Sequence, residues 1–368
     1  MSQVGLTICL QKTVQEVLYK YNSVICKAWQ SYFSTIINEK ANNTRALFST
    51  IERLTNPSSQ LAPELLSVDK CNEFTSFFKS KVENIRAHIS SKLSNISHSE
   101  PRTSLRDELS TLSNFSPVVL VTLEKTVQSL SSSTSELDIL PTRFFKSVFH
   151  LIASDVLSIA NTSLLTGTFP KSLKMAAVKP LLKKNKLDVS VINNYRPISN
   201  LPLIGKIIEK IVFNQLSAFL TSTSCIDLYQ SGFRQHHSTE TALVKMVNDI
   251  RLNNDAGKTT VLMHLDLSAA SDTVDHTTLI ERLECCGDFS GLVICWLKSY
   301  FEHRSFYVSI GHHASAPTSL TCGVPQGSIL GPLLFNLYML PLGQIIKNHS
   351  IGYHSFADDT AISLPVFQ

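Results

Sequence analysis

The sequence is poor in charge, in chain-breaking residues and in long apolar runs. Asp, Glu, Lys and Arg make up 17% of its 368 residues, against about 25% in ordinary soluble chains. Glycine and proline supply only 13 and 14 residues. Collagen-like, wholly disordered and coiled-coil chains are excluded on these grounds. No stretch approaches the ~18 to 20 uninterrupted apolar residues of a membrane span, and Met1 to Leu10 has no basic run leading into an apolar core. The expectation is therefore an intracellular, untargeted chain, nuclear or cytoplasmic, with no membrane partner. The cysteines (Cys9, Cys26, Cys71, Cys225, Cys285, Cys286, Cys295 and Cys322) show no CxxC spacing and no Cys/His cadence suited to zinc, which predicts reduced thiols packed in the interior. A net charge of +4 is too small to identify a nucleic-acid partner. What the chain does have is 43% apolar residues, enough to fold without disulfides or metals.

The charge is uneven. KSLKMAAVKPLLKKNK, from Lys171 to Lys186, carries six lysines and no acid, so it is either a basic patch or a solvated turn. Residues 1 to 115 read as a polar, helical preamble. In it Phe74, Phe77, Phe78, Val82 and Ile85 repeat at helical spacing between Cys71 and Ile89. A Ser/Asn/Thr-rich linker follows from Ser90 to Pro117. Residues 116 to 165 form a helical connector, with Phe144, Phe145, Val148, Phe149 and Ile152 on one face. From Phe169 onward short strands and helices alternate. A helix spans Gly205 to Phe219. Another begins after the N-cap Ser238. Thr259 to Leu267 suits a buried strand, helices surround Leu279–Leu283 and Leu292–Phe301, and Phe306, Val308 and Ile310 alternate as in a strand.

Three places could carry chemistry. Asp266 ends the apolar strand, where a carboxylate faces a desolvation penalty unless a cation satisfies it; the bland alternative is a strand-end Asp capping a turn. Asp358 and Asp359 in HSFADDTAISL suit a hairpin tip. Two adjacent carboxylates either point into water or share a divalent cation such as Mg²⁺. GVPQGSILGPLLFNLYMLPL places Gly323, Pro325, Gln326 and Gly327 before a helix, as an ordinary Gly/Pro loop or as one that lets a flat or phosphorylated ligand approach its backbone.

Their order narrows the choice. NNYRPISNLPLIGKIIEKIV, QSGFRQHHSTETAL, LDLSAASDTVDH, GVPQGSILGPLLFNLYM and FADDTAI follow one another as in the reverse transcriptases of non-LTR (LINE-like) retrotransposons, which the chain resembles from about Thr166 to its end. The resemblance implies an α+β fold, a right-hand polymerase with fingers and partial palm at 166–368 after a helical N-terminal region. Residues 40 to 165 resemble the linker that follows an endonuclease in that family. It also implies that Asp266, Asp358 and Asp359 bind two Mg²⁺ ions, with Mn²⁺ as an alternative and the carbonyl of Leu267 as a further ligand. The implied partners are an RNA template, a DNA primer and dNTPs. Gln326 and Gly327 fall where that family meets template and incoming nucleotide. Lys179, Lys183, Lys184, Arg196 and Arg234 fall in its basic fingers motifs, where each cation is either a phosphate contact or a solvated surface charge. The family's aromatic sugar gate is replaced by Ser271, which predicts weaker rejection of ribonucleotides. Relative to the family the chain stops nine residues after Asp359 and lacks a thumb, so the expectation is a truncated, poorly active polymerase; a non-catalytic RNA- or protein-binding remnant is the alternative. An unrelated α/β enzyme with an acid pair is disfavoured by the joint order of motifs.

Overall fold

Phe74 and Phe78 are buried along one side of a helix, α1 (Val68–Leu93), where the apolar spacing placed one. The computed structural model describes residues 66–93, 111–132, 135–184, 186–349 and 351–367, with isolated helical positions between 23 and 38. Two units, Met1–Pro63 and Glu64–Gln368, are distinguished, and all elements named from here on belong to the second. Residues 94–110, most of the expected linker, lie outside the described residues.

Helices α2 (Leu120–Ser129), α3 (Thr142–Ser147) and α4 (Phe149–Thr166) occupy the expected connector. They share one apolar core with α5 (Leu203–Ser222), α7 (His276–Cys285), α8 (Gly291–Phe301) and α9 (Gly331–Asn348). At its centre Trp296 stacks on Tyr300 with ring centroids 5.5 Å apart, and Phe169 meets both edge-on. The indole N–H donates to Ser163 Oγ at 2.9 Å, so the connector is tied to the core by a satisfied polar contact as well as by apolar packing. Among the cysteines Cys71, Cys225 and Cys322 are buried as expected, whereas Cys285 and Cys295 are exposed; they sit on the outer faces of α7 and α8. Cys9 and Cys26 lie outside the described residues.

Two sheets carry the motifs. The larger has the order β2-β1-β4-β5, with β6 also pairing β4. It consists of β1 (Met175–Leu182), β2 (Tyr195–Asn200), β4 (Arg304–Ile310), β5 (His313–Ala314) and β6 (Thr318–Leu320). Helix α1 crosses it, with Phe74 edge-on to Tyr195 at 5.0 Å and Thr75 Oγ1 donating to Ser315 Oγ at 2.9 Å. The smaller sheet has the order β3-β8-β7: β3 (Lys258–Leu265), β7 (Gly352–Phe356) and β8 (Asp359–Phe367). The capping box at Ser238 starts α6 (Thr239–Asp255), which leads into β3 and touches it through Asn253 Nδ2 and Thr260 Oγ1 at 3.0 Å.

One expectation fails here. β3 is an edge strand, and Val261, Leu262, Met263 and Leu265 are exposed rather than buried. Val261 and Met263 share a face with Leu364 and Ile362 of β8, and Leu364 is exposed too. An apolar run specifies a strand, but whether both of its faces are covered is decided by its place in the sheet.

Candidate active site

The smaller sheet gathers the acids. β3 and β8 pair antiparallel from Lys258↔Phe367 to Leu265↔Thr360, so one further step sets Asp266 opposite Asp359. Phe356 pairs with Asp359, leaving Ala357 and Asp358 as a two-residue turn. Ala357 has φ 57°, the left-handed geometry such a hairpin turn requires. The three aspartates therefore share one end of one sheet. Asp266 is exposed, so the desolvation penalty expected for it is absent; the strand runs out into solvent. Among the described residues no three His, Cys, Asp or Glu side chains are close enough to hold one metal together. The donors at this end are nonetheless all hard oxygens, the carboxylates and the Leu267 carbonyl. That set fits Mg²⁺, which keeps water and substrate phosphates in its shell instead of demanding a full protein cage.

The turn is held from outside the sheet, through a residue the sequence reading did not single out. Gln230, buried within QSGFR, accepts the Ala357 N–H at 2.9 Å and the Gly232 N–H at 2.7 Å on Oε1, and its Nε2 donates to the Ala357 carbonyl at 3.1 Å. Ser231 N–H donates to Ser355 O at 2.9 Å and Ser355 N–H to Tyr229 O at 2.8 Å. A Cβ on Gly232 would fall 2.1 Å from the Ala357 nitrogen, so only glycine lets this segment lie against the turn. The side-chain amide of Asn336 on α9 fixes the Gly232 carbonyl at 2.9 Å.

The AASD and VPQG segments lace together. Val324 N–H donates to Ser271 O at 2.8 Å and Gly323 N–H to Val274 O at 2.7 Å. His276 Nε2 donates to Gly323 O at 2.8 Å. Gln326 Nε2 donates to Asp272 Oδ1 at 2.9 Å, and the Gln326 carbonyl accepts Ser199 N–H from β2 at 2.7 Å. Gln326 is thus fixed at both its side chain and its backbone. Burial pushes the Asp272 carboxyl up to about 6, opposed by the Gln326 bond and by the charge of Lys81. Gly327 has φ 112°, and its missing Cβ makes room for Ser199 O, which would be 2.5 Å away; the close approach it permits is that of β2. Beyond the loop, Ile329 N–H and Tyr300 OH donate to the two oxygens of the fully buried Glu209 at 2.7 and 2.9 Å. Burial raises the pKa of Glu209, with Arg304 opposing.

The basic residues divide. Lys179 pairs with Glu136 at 2.6 Å, and that carboxylate also accepts Ser309 Oγ at 2.6 Å, so a neighbouring acid engages this lysine. Arg234 Nη1 reaches the carbonyls of Asp227, Leu228 and Gln230 at 3.1 to 3.5 Å, which ties up the turn before QSGFR. Arg196, by contrast, is exposed on β2, its Nη2 donating to Lys183 O at 3.3 Å, and Lys183 Nζ donates to Asn193 O at 2.7 Å. Lys184 is exposed beside them. Burial first, then the charges of Lys81 and Arg196, lower the pKa of Lys183.

Comparisons with known proteins identify the family. The family model described as reverse transcriptase (RNA-dependent DNA polymerase) matches residues 181–365, half of the chain. The chain is 32% identical over 210 residues to the RNA-directed DNA polymerase from mobile element jockey of Drosophila melanogaster, covering 55% of this chain and 22% of that protein. It is 31% identical over 209 residues to the jockey polymerase of Drosophila funebris, covering 55% and 22%. A retrovirus-related Pol polyprotein from the type-1 retrotransposable element R1 of Bradysia coprophila is 28% identical over 218 residues, covering 59% and 21%. The chain spans about a fifth of the length of these relatives. Among the described residues no helix is long and apolar enough to cross a membrane.

Proposed function

Because the chain belongs to the reverse transcriptase (RNA-dependent DNA polymerase) family, as the reverse transcriptase domain of a non-LTR retrotransposon, we propose that it adds deoxynucleotides to a DNA primer 3′ end along an RNA template, releasing pyrophosphate. The observation that carries this reading is the pairing of β3 with the β7–β8 hairpin, which brings Asp266 to the same sheet end as Asp358 and Asp359.

Those carboxylates, with the Leu267 carbonyl, would hold two Mg²⁺ ions, or Mn²⁺ in their place. Bound there, divalent ions would lower the pKa of a primer hydroxyl and offset charge on the triphosphate and leaving pyrophosphate. The chain's own residues position the reactants. Gln230 fixes the turn that presents Asp358. Asp272 and Ser199 hold Gln326 rigidly, which suits a residue that must lie against a base pair without reorganising. Arg196 and Lys183 offer cations to phosphate oxygens. In this reading the larger sheet and α5 serve as fingers and the smaller sheet as palm, and the protein works in the nucleus or cytoplasm where template RNA is found.

The test is primer extension on an RNA template with Mg²⁺, comparing wild type with Asp358→Ala. Extension by wild type alone supports the reading. RNA binding by both proteins with extension by neither would point to a non-catalytic role.

A further inference from the structure

Helix α9 places Asn336 between the buried Phe335 and Leu337. Asparagine is a weak helix former, because its short carboxamide competes for backbone hydrogen bonds, so a helix gains from it only where that group serves another element. Here it does. Nδ2 donates to the Gly232 carbonyl at 2.9 Å, across a sequence separation of 104 residues. A carbonyl can only accept, which fixes the amide nitrogen toward Gly232 and leaves Oδ1 as the other end of the group. Oδ1 is buried, and among the described residues nothing donates to it. A buried acceptor without a donor is strongly disfavoured and calls for a partner.

Asn336 also lines a small cavity, together with Asp227, Gln230, Ser355, Thr360 and Ala357 of the turn that bears Asp358. Its volume, about 10 Å³, is room for one water molecule and little more. The groups around it call for a ligand that both donates and accepts. Asp227 is already engaged: Oδ1 accepts Tyr229 N–H at 3.1 Å and Lys347 Nζ at 3.3 Å, and Oδ2 accepts the Tyr353 hydroxyl. Ser355 Oγ and Thr360 Oγ1 bond one another at 3.0 Å; one of the pair donates, so one hydroxyl hydrogen remains to point elsewhere. Gln230 Nε2 spends one of its two hydrogens on the Ala357 carbonyl. A cation would meet these hydrogens, and an anion would meet Asn336 Oδ1 and the Asp227 carboxylate. Water suits both kinds of wall.

We infer that a single bound water occupies this cavity, donating to Asn336 Oδ1 and accepting from the Ser355–Thr360 hydroxyl pair, and that Asn336 is thereby a positioning residue for Asp358. The carboxamide grips the turn from two sides. Through Nδ2 it holds Gly232, whose N–H shares Gln230 Oε1 with the Ala357 N–H. Through the water it holds Ser355 on β7 and Thr360 on β8, the strands that enter and leave the turn. Helix α9 begins at Gly331, just after the Gln326 loop, so one rigid element links the residue proposed to meet the base with the turn that presents Asp358. The effect on catalysis rests on the polymerase reading; the water site and the grip on the turn do not.

The test uses the full chain and the variants Asn336→Leu, Thr360→Val and Thr360→Ser, with Gln344→Ala on the exposed side of α9 as a control. Asn336→Leu removes both ends of the carboxamide. Thr360→Val takes only a hydroxyl from the water's shell at nearly unchanged volume, and Thr360→Ser keeps that hydroxyl. A crystal structure of the wild-type chain should show an ordered water within hydrogen-bond distance of Asn336 Oδ1 and of Ser355 or Thr360. Amide hydrogen exchange across residues 353–360 should be about tenfold faster in Asn336→Leu and Thr360→Val, and unchanged in Thr360→Ser and Gln344→Ala. In primer extension the first two variants should lose about tenfold or more in kcat with the KM for dNTP little altered, and Thr360→Ser should retain activity. A metal ion at Asn336 Oδ1, or no ordered molecule there, overturns the inference. So does a lower melting temperature in Asn336→Leu with exchange across 353–360 unchanged, which would make Asn336 a packing residue only. Should Asn336→Leu fail to fold, Thr360→Val decides. The ordered water and the faster exchange, found in a protein that extends no primer, would uphold the site while counting against the polymerase reading.

Discussion

The side-chain amide of Gln230 brackets the backbone of Ala357, accepting its N–H at 2.9 Å and donating to its carbonyl at 3.1 Å, across a sequence separation of 127 residues. The carbonyl group of the amide also takes the Gly232 N–H. Gln230→Ala removes all three bonds and leaves buried N–H groups without partners, at about 1 to 3 kcal/mol each. The turn bearing Asp358 should lose its fixed position, and primer-extension kcat should fall about tenfold or more, with the KM for dNTP altered little. Gly232→Ala should be at least as damaging, because its Cβ would overlap the Ala357 backbone. Single-turnover extension rates for both variants provide the check.

The buried carboxyl of Asp272 makes stability depend on pH. Its folded pKa, about 6, lies above the ordinary 3.8, so the native state binds a proton more readily than the unfolded chain. Stability should therefore decline as pH rises from about 4 to about 6 and then level off. Asp272→Asn keeps an oxygen to accept from Gln326 and has no charge to bury. It should melt higher than wild type at pH 7.5, by a margin that shrinks as pH falls toward 4. Melting curves of the two proteins across that range decide it; a constant difference would contradict the assignment.

Ser271 stands in the loop whose backbone accepts Val324 N–H, where a bulky side chain would narrow the space beside Gln326. Ser271→Phe should increase the preference for deoxynucleotides over ribonucleotides, since a steric wall rejects the larger sugar and costs the smaller one little. Incorporation of each dNTP against its rNTP in both proteins measures the ratio, and identical ratios would refute the idea.

Asp275 serves two partners. It caps α7 by accepting Thr278 N–H at 2.9 Å and pairs with Arg86 at 2.6 Å. Burial works against its charge, but these two bonds outweigh it and hold its pKa below the usual carboxylate range. Arg86→Ala removes a part-exposed ion pair worth about 0.5 kcal/mol. Asp275→Ala also removes the cap and should cost about 1 to 2 kcal/mol. Urea denaturation should rank the variants in that order. Because the native carboxylate is favoured, the wild-type advantage over Asp275→Ala should be complete above pH 4 and lost as pH drops through the lowered native pKa.

What the letters revealed was local. Helical spacing at Phe74 and Phe78 located α1, Ser238 marked the start of α6, and the adjacency of Asp358 and Asp359 between short apolar pieces located a hairpin. What they concealed depended on partners far along the chain. Lys179 looks like an available cation until Glu136 is found 2.6 Å away. Val261 and Met263 look like interior residues until β3 proves to be an edge strand. Gln230 lay within a quoted motif, but its role became visible only with Ala357 beside it. Asp272 likewise stood in plain view, and its bond to Gln326 follows only from how two loops meet.

Trp296 draws its partner from Ser163, and Tyr195 draws its cover from Phe74, although neither Ser163 nor Phe74 belongs to residues 181–365, the segment that the family model matches. Excising residues 181–365 as a minimal unit would bare an indole N–H, strip an aromatic from the outermost strand of the larger sheet and leave Asp275 without its arginine. The boundary drawn by the family model is thus narrower than the boundary drawn by packing, and an expression fragment cut to residues 181–365 would be expected to aggregate rather than to fold.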